Sequence, residues 1–433
     1  MEVLKNIFNG LLTSPVIMIG MLICVGYIAL KEKPVKVITG TITSMVGISL
    51  VIFGGNQFTG LFKPITEAIN NNFGVSGYIM DSYAMKSATQ EALGSNFGLV
   101  GYVFLVAFLV NIVLVYFGKY TKAKGVFLTG NAGIAHSQAI LWLVLVYLGK
   151  GSIFSIIVSG ILVGIYWAYS TTIAFNAVEK VTGGAGFTVG HNQQVGIWFF
   201  SKFAHIFGDP EKEDAEKLKL PGWLSVFNNN VVSVAIIMII FVGAFMIPLG
   251  IEGIEKISKG TNWFLYIIMI GINFSMNMVI LLTGVRMMVG ELTSAFRGIQ
   301  EKIVPNAIPA IDVAAILPFS PNAATLGFIF TTIGTIISML ILLMLKSPIM
   351  VLPGFVPLFF SGGPIGVVAN KYGGIKSVMV CSTLLGIIQT FGTVWAIKLM
   401  SYPNGVGWSG MFDFATVWPL ITEAIKFIAN FIN

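Results

Sequence analysis

The run TLGFIFTTIGTIISMLILLML, Thr325–Leu345, contains no charged residue. A helix that crosses a lipid bilayer needs about 20 mainly apolar residues, so this run is long enough to do so. Apolar stretches of similar length occur elsewhere, at Ser14–Leu30, Gly98–Phe117, Val231–Gly250 and Phe264–Thr283. Only 10% of the 433 residues are charged, whereas soluble domains have about 25%. The sequence therefore predicts an all-α, polytopic membrane protein.

About eleven transmembrane helices can be drawn, and the order of the elements repeats along the chain. Residues 1–176 are predicted to form a first inverted repeat, residues 177–230 a cytoplasmic or interfacial connection, residues 231–400 a second repeat, and residues 401–433 the last helix. Five spans in each repeat would give the two copies opposite orientations in the membrane. The predicted spans are Phe8–Leu30, Val37–Gly54, Phe97–Phe117, Val126–Gly149, Ser152–Asn176, Val231–Gly250, Asn262–Gly284, Thr325–Leu345, Pro348–Tyr372, Ile375–Met400 and Ala415–Ile432.

Each predicted repeat contains a semi-polar, re-entrant hairpin and a helix broken by glycines. The hairpins are Phe58–Leu93, with Asp81-Ser82-Tyr83 near its turn, and Val304–Ala324, with Asp312. The broken helices carry the glycine-containing segments 130–133 and 361–364. Interrupted helices at corresponding positions of inverted repeats are typical of a transporter's binding site, because exposed backbone groups at membrane depth must line a cavity or be buried in protein.

The distribution of basic residues predicts the orientation in the membrane. Most of the 25 Lys and Arg residues fall on one side of the predicted spans, and the side richer in Lys and Arg is normally the cytoplasm. The N-terminus is then outside, and both the C-terminus and the connection are inside. Asp209–Lys219, the charge-rich run DPEKEDAEKLK within the connection, is predicted to be a solvated loop.

Asp312 is the strongest single candidate for binding a solute. It lies in the apolar run AIDVAAI, and an unpaired charge at the centre of a membrane helix costs about 2.5–3.5 kcal/mol on insertion scales. Its carboxylate must therefore face a partner or a cavity, where it could accept hydrogen bonds from ligand hydroxyls. The alternative is a structural hydrogen bond to the hairpin backbone.

Two further clusters of polar side chains are candidate ligand contacts. His136 lies on the broken fourth span beside Asn131 and Ser137, although a lone histidine there could instead bridge two helices. His191-Asn192-Gln193 follows a glycine-rich run and offers several hydrogen-bond donors and acceptors. The alternative for this second cluster is a solvated loop.

No pattern predicts a catalytic centre, a metal site or a cofactor. The glycine-rich run lacks the lysine of a phosphate-binding loop, and no histidines are spaced as metal ligands. Cys24 and Cys381 lie in apolar helices, so neither is predicted to carry a phosphoryl group. The net charge of +7 is explained by membrane topology, and nucleic acid is not an expected partner.

Several long motifs stand out along the chain. They are GGAGFTVGHNQQ (Gly183–Gln194), KLPGWLSVFNNNVVS (Lys219–Ser233), VRMMVGELTSAFRGI (Val285–Ile299), AIDVAAI (Ala310–Ile316), FSPNA (Phe319–Ala323) and PGFVPLFFS (Pro353–Ser361). Together they resemble one family of bacterial permeases, the ascorbate-specific IIC component of the phosphoenolpyruvate-dependent phosphotransferase system. The galactitol IIC proteins are more distantly similar. The resemblance implies a multi-pass protein of the bacterial inner (plasma) membrane, a homodimer, and an elevator-like displacement of a core domain.

The resemblance also implies partners and a substrate. Separate cytoplasmic IIB and IIA proteins would supply the phosphoryl group, so this chain would not itself be an enzyme. A small sugar-like solute, ascorbate or a related sugar acid or sugar, would be moved inward across the lipid bilayer and phosphorylated by IIB. Two other functions stay open from the residues: an elevator-type secondary transporter driven by an ion, and a IIC permease for a different sugar or polyol.

The family's substrate contacts correspond to particular residues of this chain. They are Ser82, Tyr83, His191, Asn192, Gln193 and Asp312. On the fourth span the chain departs from the family: ascorbate permeases have Thr-Gly-His followed by a Gln-Gln pair, whereas this chain has Thr129-Gly130-Asn131 followed by Ala135-His136. Asn131, Ala135 and His136 are therefore also predicted to line the site, with altered specificity.

Overall fold

The computed structural model describes residues 14–72, 78–149, 152–217, 230–305, 307–401 and 407–432. These parts of the chain are mostly helical, with short 3-10 segments at 94–99, 204–206, 247–249 and 313–319. The α-helices are α1 (Pro15–Ala29), α2 (Pro34–Asn72), α3 (Ser82–Leu93), α4 (Val100–Tyr116), α5 (Gly118–Thr121), α6 (Gly130–Leu148), α7 (Ser152–Thr182), α8 (Gln194–Phe203), α9 (Asn230–Met246), α10 (Gly250–Ile257), α11 (Trp263–Lys302), α12 (Pro321–Met344), α13 (Phe355–Met400), α14 (Phe412–Ala415) and α15 (Val417–Ile432).

Six helical segments of the described chain are long and apolar enough to cross a membrane. This confirms an all-α membrane protein, while the count of eleven spans stays a prediction. Three shorter apolar segments lie at Ile19–Ala29, Ala132–Leu148 and Val234–Ala244. The six longer segments are Pro34–Gly54, Ala84–Tyr116, Ile153–Thr182, Trp263–Ile280, Pro321–Met344 and Val356–Met400.

The two long helices α2 and α11 pack with α1 into one bundle. Helix α1 crosses α11 closely, because a Cβ on Gly298 would collide with the carbonyl oxygen of Gly26. Small residues allow such close backbone contact between membrane helices. Glu291 of α11 is held by Lys36, whose Nζ lies 2.7 Å from Oε2, and by the hydroxyl of Tyr27. The carboxylate of Glu291 is thus paired within this bundle.

Helix α13 is broken at one residue. Gly374 has φ +73° and ψ −168°, a conformation that side-chain-bearing residues rarely adopt. A Cβ at this position would also lie 2.7 Å from the carbonyl oxygen of Glu213. The break separates the regions predicted as the spans Pro348–Tyr372 and Ile375–Met400, so the glycine marks the boundary between them.

Among the described residues, six short strands form two parallel, three-stranded sheets. The strands are β1 (Tyr78–Met80), β2 (Gly125–Phe127), β3 (Thr188–Val189), β4 (Ile308–Ile311), β5 (Val351–Pro353) and β6 (Gly407–Trp408). The first sheet has the order β5-β1-β6 and the second the order β2-β4-β3. In the first sheet Ile79 lies opposite Leu352 and Gly407, and in the second Ala310 lies opposite Phe127 and Thr188. Each central strand is therefore paired on both sides with strands from the other half of the chain.

The charge-rich run Asp209–Lys219 is only partly a solvated loop over its described part, residues 209–217. The side chains of Lys212 and Lys217 are 81% and 79% exposed, whereas other residues pack against the helices. Ala215 is fully buried, and its backbone N–H donates to Asn370 Oδ1 at 2.9 Å. Glu216 accepts hydrogen bonds from Ser320 Oγ at 2.9 Å and Ala323 N at 3.0 Å, at the start of α12. Burial raises the pKa of Glu216. The expectation of a solvated loop was therefore wrong for Ala215 and Glu216, because Glu216 bonds a free N–H group at a helix start.

Candidate functional site

The second sheet places several polar residues at one edge. Its strands are parallel, so their carboxyl ends meet at the same side. Asp312 follows the central strand β4, and His191 comes two residues after β3. Their side chains approach each other, with His191 Nε2 4.0 Å from Asp312 Oδ2. Two residues that the sequence analysis singled out separately thus lie side by side.

Asp312 is a carboxylate set into an apolar surround. All four residues of β4 before it are buried, and so are Val313–Leu317 after it, while its own side chain keeps 27% of its exposure. One oxygen, Oδ1, accepts a hydrogen bond from Ala314 N at 2.9 Å. The expected alternative, a bond to the hairpin backbone, therefore exists, but it engages Oδ1 and leaves Oδ2 on the His191 side.

The three amides that follow His191 are buried, and the oxygens of the second and third accept hydrogen bonds. Gln193 Oε1 accepts from Phe412 N at 3.1 Å. Gln194 Oε1 accepts from Gln193 N at 3.1 Å, and the Tyr166 hydroxyl oxygen lies 3.3 Å from it. Within the described residues, neither Gln193 Nε2 nor Gln194 Nε2 has a hydrogen-bond partner. This segment is therefore not a solvated loop, and its amide N–H groups are buried donors.

Asp413 fixes this segment in place, and the sequence analysis missed it. It is fully buried on the short helix α14, and it accepts hydrogen bonds from Val195 N and Gly196 N, each at 3.2 Å. The hydroxyl of Tyr166 donates to it at 2.6 Å. A carboxyl group at the start of α8 satisfies N–H groups that the helix leaves free. The signal was available, because Asp413 stands alone in the apolar run MFDFA, as Asp312 does in its own run.

His136 lies in an aromatic cage and is fully buried. Its ring stacks on Phe414, with centroids 5.3 Å apart and planes 5° from parallel, and contacts Phe127 and Tyr166 edge-on. The indole Nε1 of Trp167 donates to His136 Nδ1 at 3.0 Å. His136 interacts electrostatically with His191 and also interacts with the Asn192 side chain, so it belongs to the same cluster.

Of the four remaining predicted residues, the structure describes the side chains of two. Ser82 is buried, and its hydroxyl lies 2.9 Å from that of Ser409 after β6. Ala135 is 1% exposed and offers only a methyl group. The side chains of Tyr83 and Asn131 lie outside the part that the structure describes.

Lys86 is a second residue that the sequence analysis missed. It lies on α3, one helical turn after Ser82, and its charge interacts with Asp81, His136 and His191. Its backbone carbonyl accepts from Gln138 Nε2 at 3.4 Å, which ties α3 to α6. Long helical side chains point back toward the N-terminus, so the ammonium is directed to the tip of the first hairpin. The available signal was a lysine within the predicted semi-polar hairpin Phe58–Leu93, which contains one other lysine, Lys63.

Nothing in the described part of the chain resembles a catalytic metal centre. No group of three or more His, Cys, Asp or Glu residues there could hold a metal ion. Cys381 is buried in α13 and Cys24 is partly buried in α1. The cluster instead combines one carboxylate, two histidines, three amides and a lysine, which is chemistry for binding a polar solute rather than for transforming it.

Comparison with known proteins identifies relatives along almost the whole chain. A family profile described as the sugar-specific permease component of the phosphotransferase system (PTS) matches residues 10–418. An ascorbate-specific PTS system EIIC component from Mycoplasma pneumoniae is 28% identical over 438 aligned residues, which cover 91% of this chain and 66% of that relative. The chain thus spans slightly less than two thirds of that relative's length.

Proposed function

Because the chain belongs to the family of sugar-specific permease components of the PTS, we propose that it moves a small sugar-like solute inward across the plasma membrane. The chain is a multi-pass protein of the bacterial inner membrane. Cytoplasmic IIB and IIA proteins carry the phosphoryl group in this proposal, and the chain itself transports without catalysing the transfer. The observation that carries the proposal is the cluster of buried polar groups around Asp312 at the edge of the second sheet.

The substrate of this proposal is ascorbate or a related sugar acid or sugar, held by residues from both halves of the chain. Asp312 accepts hydrogen bonds from ligand hydroxyls, and the buried amide donors of the His191 segment bond ligand oxygens. The relative from Mycoplasma pneumoniae supports ascorbate by its name. The proposed substrate-binding residues are Ser82, Tyr83, Asn131, Ala135, His136, His191, Asn192, Gln193 and Asp312.

The two halves of the chain, 1–176 and 231–400, form an inverted repeat in this proposal. The strand pairing supports it: β1, β2 and β3 lie within residues 78–189, β4, β5 and β6 lie within residues 308–408, and each central strand is flanked by two strands of the other set. Strands β3 and β6 occupy matching places just after the two repeats, in the connection and in the last segment. The proposed architecture also includes eleven spans, the cytoplasmic connection 177–230 and a last helix in 401–433. We further propose that the protein is a homodimer and transports by an elevator-like motion.

The fourth span distinguishes ascorbate from other solutes. Family ascorbate permeases place polar side chains where this chain has Asn131 and Ala135, and one lost hydrogen bond to a neutral group is worth about 0.5–1.5 kcal/mol. Two such losses lower the affinity for ascorbate by roughly 10–100-fold, since about 1.4 kcal/mol corresponds to a tenfold change in affinity. The test is a binding screen of the purified protein against ascorbate, galactitol and other sugar acids, with the double variant Asn131→His/Ala135→Gln beside it. Equal ascorbate affinity in both proteins would remove these two positions from the site.

An ion-coupled secondary transporter is the competing function, and one contact favours it. His191 and Asp312 form a pair of titratable side chains at 4.0 Å, and such pairs can carry protons in transporters. Uptake by proteoliposomes separates the two functions. A phosphotransferase permease accumulates phosphorylated solute only when IIB, IIA and their phosphoryl donor are supplied, whereas accumulation of unmodified solute driven by a pH gradient alone would contradict the proposal.

A further inference from the structure

The hydrogen bond from Trp167 determines which nitrogen of His136 carries the proton. Indole Nε1 is a donor only, and it lies 3.0 Å from His136 Nδ1. Nδ1 must therefore offer its lone pair, since a proton there would set two N–H groups against each other. A neutral imidazole with an unprotonated Nδ1 carries its proton on Nε2. His136 is thus a fixed donor at Nε2.

The natural acceptor for this proton is the side-chain oxygen of Asn192. The Asn192 side chain interacts with the imidazole ring, and both residues are at least 98% buried, with exposures of 0% and 2%. His136 Nε2 and Asn192 Oδ1 are buried atoms without a hydrogen bond of normal length to any described residue. One is a donor and the other an acceptor, and buried polar groups in native proteins are paired in the great majority of cases.

We propose that His136 is a positioning residue: its Nε2–H donates to Asn192 Oδ1 and so holds the Asn192 amide with its N–H groups toward the substrate. The inference rests on the proposed function for the substrate, but the pairing itself does not. A carboxamide whose oxygen is fixed presents its NH₂ group on the opposite side. Asn192 Nδ2 lies 3.6 Å from Met411 Sδ, and a thioether is a weak acceptor, so this contact leaves the donors free for a ligand oxygen.

The neighbouring amides are oriented in the same way, by other donors. The backbone N–H of Phe412 fixes Gln193 Oε1, and the backbone N–H of Gln193 fixes Gln194 Oε1. With His136 acting on Asn192, three consecutive amides have their oxygens turned to the protein. The ligand group that meets Asn192 is then an acceptor oxygen, such as a carbonyl, carboxylate or ring oxygen, while a ligand hydroxyl meets Asp312.

The pairing is tested without any ligand by nitrogen NMR of the full-length protein labelled at histidine. The chain has only three histidines, and loss of one signal pair in His136→Gln assigns His136. We expect its proton on Nε2, a shifted Nδ1 signal in Trp167→Phe, and a shifted Nε2 signal in Asn192→Leu. A proton on Nδ1 in the native protein, or an Nε2 signal that does not respond to Asn192→Leu, would overturn the proposal.

The effect on the substrate is tested by ascorbate binding. His136→Phe keeps an aromatic ring in the cage but removes the donor, and we expect about a tenfold loss of affinity, the size of one well-buried hydrogen bond. His136→Gln retains an amide donor and should restore affinity to within a few-fold. Equal losses in the two variants would contradict the positioning role. If native protein does not bind ascorbate, the substrate assignment fails, while the NMR result still decides the pairing.

Discussion

The first and second sheets are both parallel and three-stranded, but they hold their aspartates differently. In each sheet an aspartate follows the central strand and bonds a nearby backbone N–H: Asp81 Oδ1 accepts from Ala84 N at 3.4 Å, and Asp312 Oδ1 from Ala314 N at 2.9 Å. Beyond that bond the surroundings diverge. Asp81 packs against the backbone of Gly354 and interacts with Lys86, whereas Asp312 Oδ2 faces His191.

The difference shows how one structural device serves two purposes. A carboxyl group that bonds the backbone after a strand stabilises the turn in both sheets, so that bond alone gives no information about function. What distinguishes Asp312 is its second oxygen, which lies beside a histidine and buried amides. Substitutions can therefore separate what each aspartate contributes to stability from what it contributes to transport.

Removing the link between the two sheets should have the largest effect. Asp413 follows β6 of the first sheet and holds the start of α8, which follows β3 of the second. Asp413→Ala leaves two buried backbone N–H groups without their acceptor, and each such group costs about 1–3 kcal/mol. We expect a loss of about 3 kcal/mol in stability, measured as a lower midpoint of thermal unfolding in detergent, together with loss of uptake.

Asp413→Asn is the matched control for that variant. Its amide keeps one acceptor oxygen, so its unfolding midpoint should lie between those of the native protein and Asp413→Ala. A native midpoint for Asp413→Ala would mean that the two sheets are not joined through this carboxyl group.

Removing the charge of Asp312 at the second sheet should affect transport rather than folding. Asparagine caps a turn about as well as aspartate, so Asp312→Asn keeps the Ala314 bond. Hydrogen bonds to charged groups are worth about 1.5–3 kcal/mol, which predicts a 10–100-fold lower uptake efficiency at low solute concentration. Asp81→Asn is the control in the first sheet, with an expected change below about threefold because its structural bond survives. Equal uptake by the two variants would remove the distinction between the aspartates.

A methyl group at Gly354 should disturb only the first sheet. A Cβ there would collide with the carboxyl group of Asp81, and overpacking of this kind costs about 1–3 kcal/mol. We expect Gly354→Ala to lower the unfolding midpoint and leave the signals of His136 and His191 unchanged in histidine-labelled protein. Gly101→Ala is the control, since no atom lies within 4 Å of a Cβ at Gly101. A destabilised control would show that any added methyl group is harmful.

The smallest effect is expected at the contact between β6 and the first hairpin. The hydroxyls of Ser82 and Ser409 lie 2.9 Å apart, and such a bond contributes about 0.5–1.5 kcal/mol. Ser409→Ala should lower stability by that amount. Ser82→Ala in the same background should then cost little more, because their shared bond is already lost. Fully additive losses in unfolding experiments would show that the two hydroxyls are independent.

Much of the fold was predictable because membrane helices are encoded locally. Apolar runs place α7, α11 and α12 near the predicted spans, and the lone Asp312 in its apolar run was identified from its cost in a membrane. The paired strands were not predicted, since strands of two to four residues carry too little pattern. The pairing that joins Asp413 to α8 was equally invisible, because it connects positions far apart in sequence.

The connection between the two repeats shows a second reason why the sequence could not predict the whole structure. Residues 209–217 are charged and look solvated in sequence, yet Glu216 and Asn370 tie them to α12 and α13. Whether a charged side chain faces water or a helix start depends on which helix end lies nearby, and that is decided by the tertiary fold. The sequence showed the charges but not their partners.

The pairing of strands that lie far apart in the sequence constrains the order in which the protein can fold during synthesis. Strand β1, ending at Met80, pairs with β5 and β6, which begin at Val351 and Gly407. Unpaired strand edges are costly in the membrane interior, where no water replaces the missing partner. The first hairpin therefore cannot close during synthesis of its own half. A nascent chain that has inserted every helix up to α12 already contains all three strands of the second sheet, which ends at Ile311, but still lacks both neighbours of β1. The first sheet can therefore form only after the second, once Trp408 has been made.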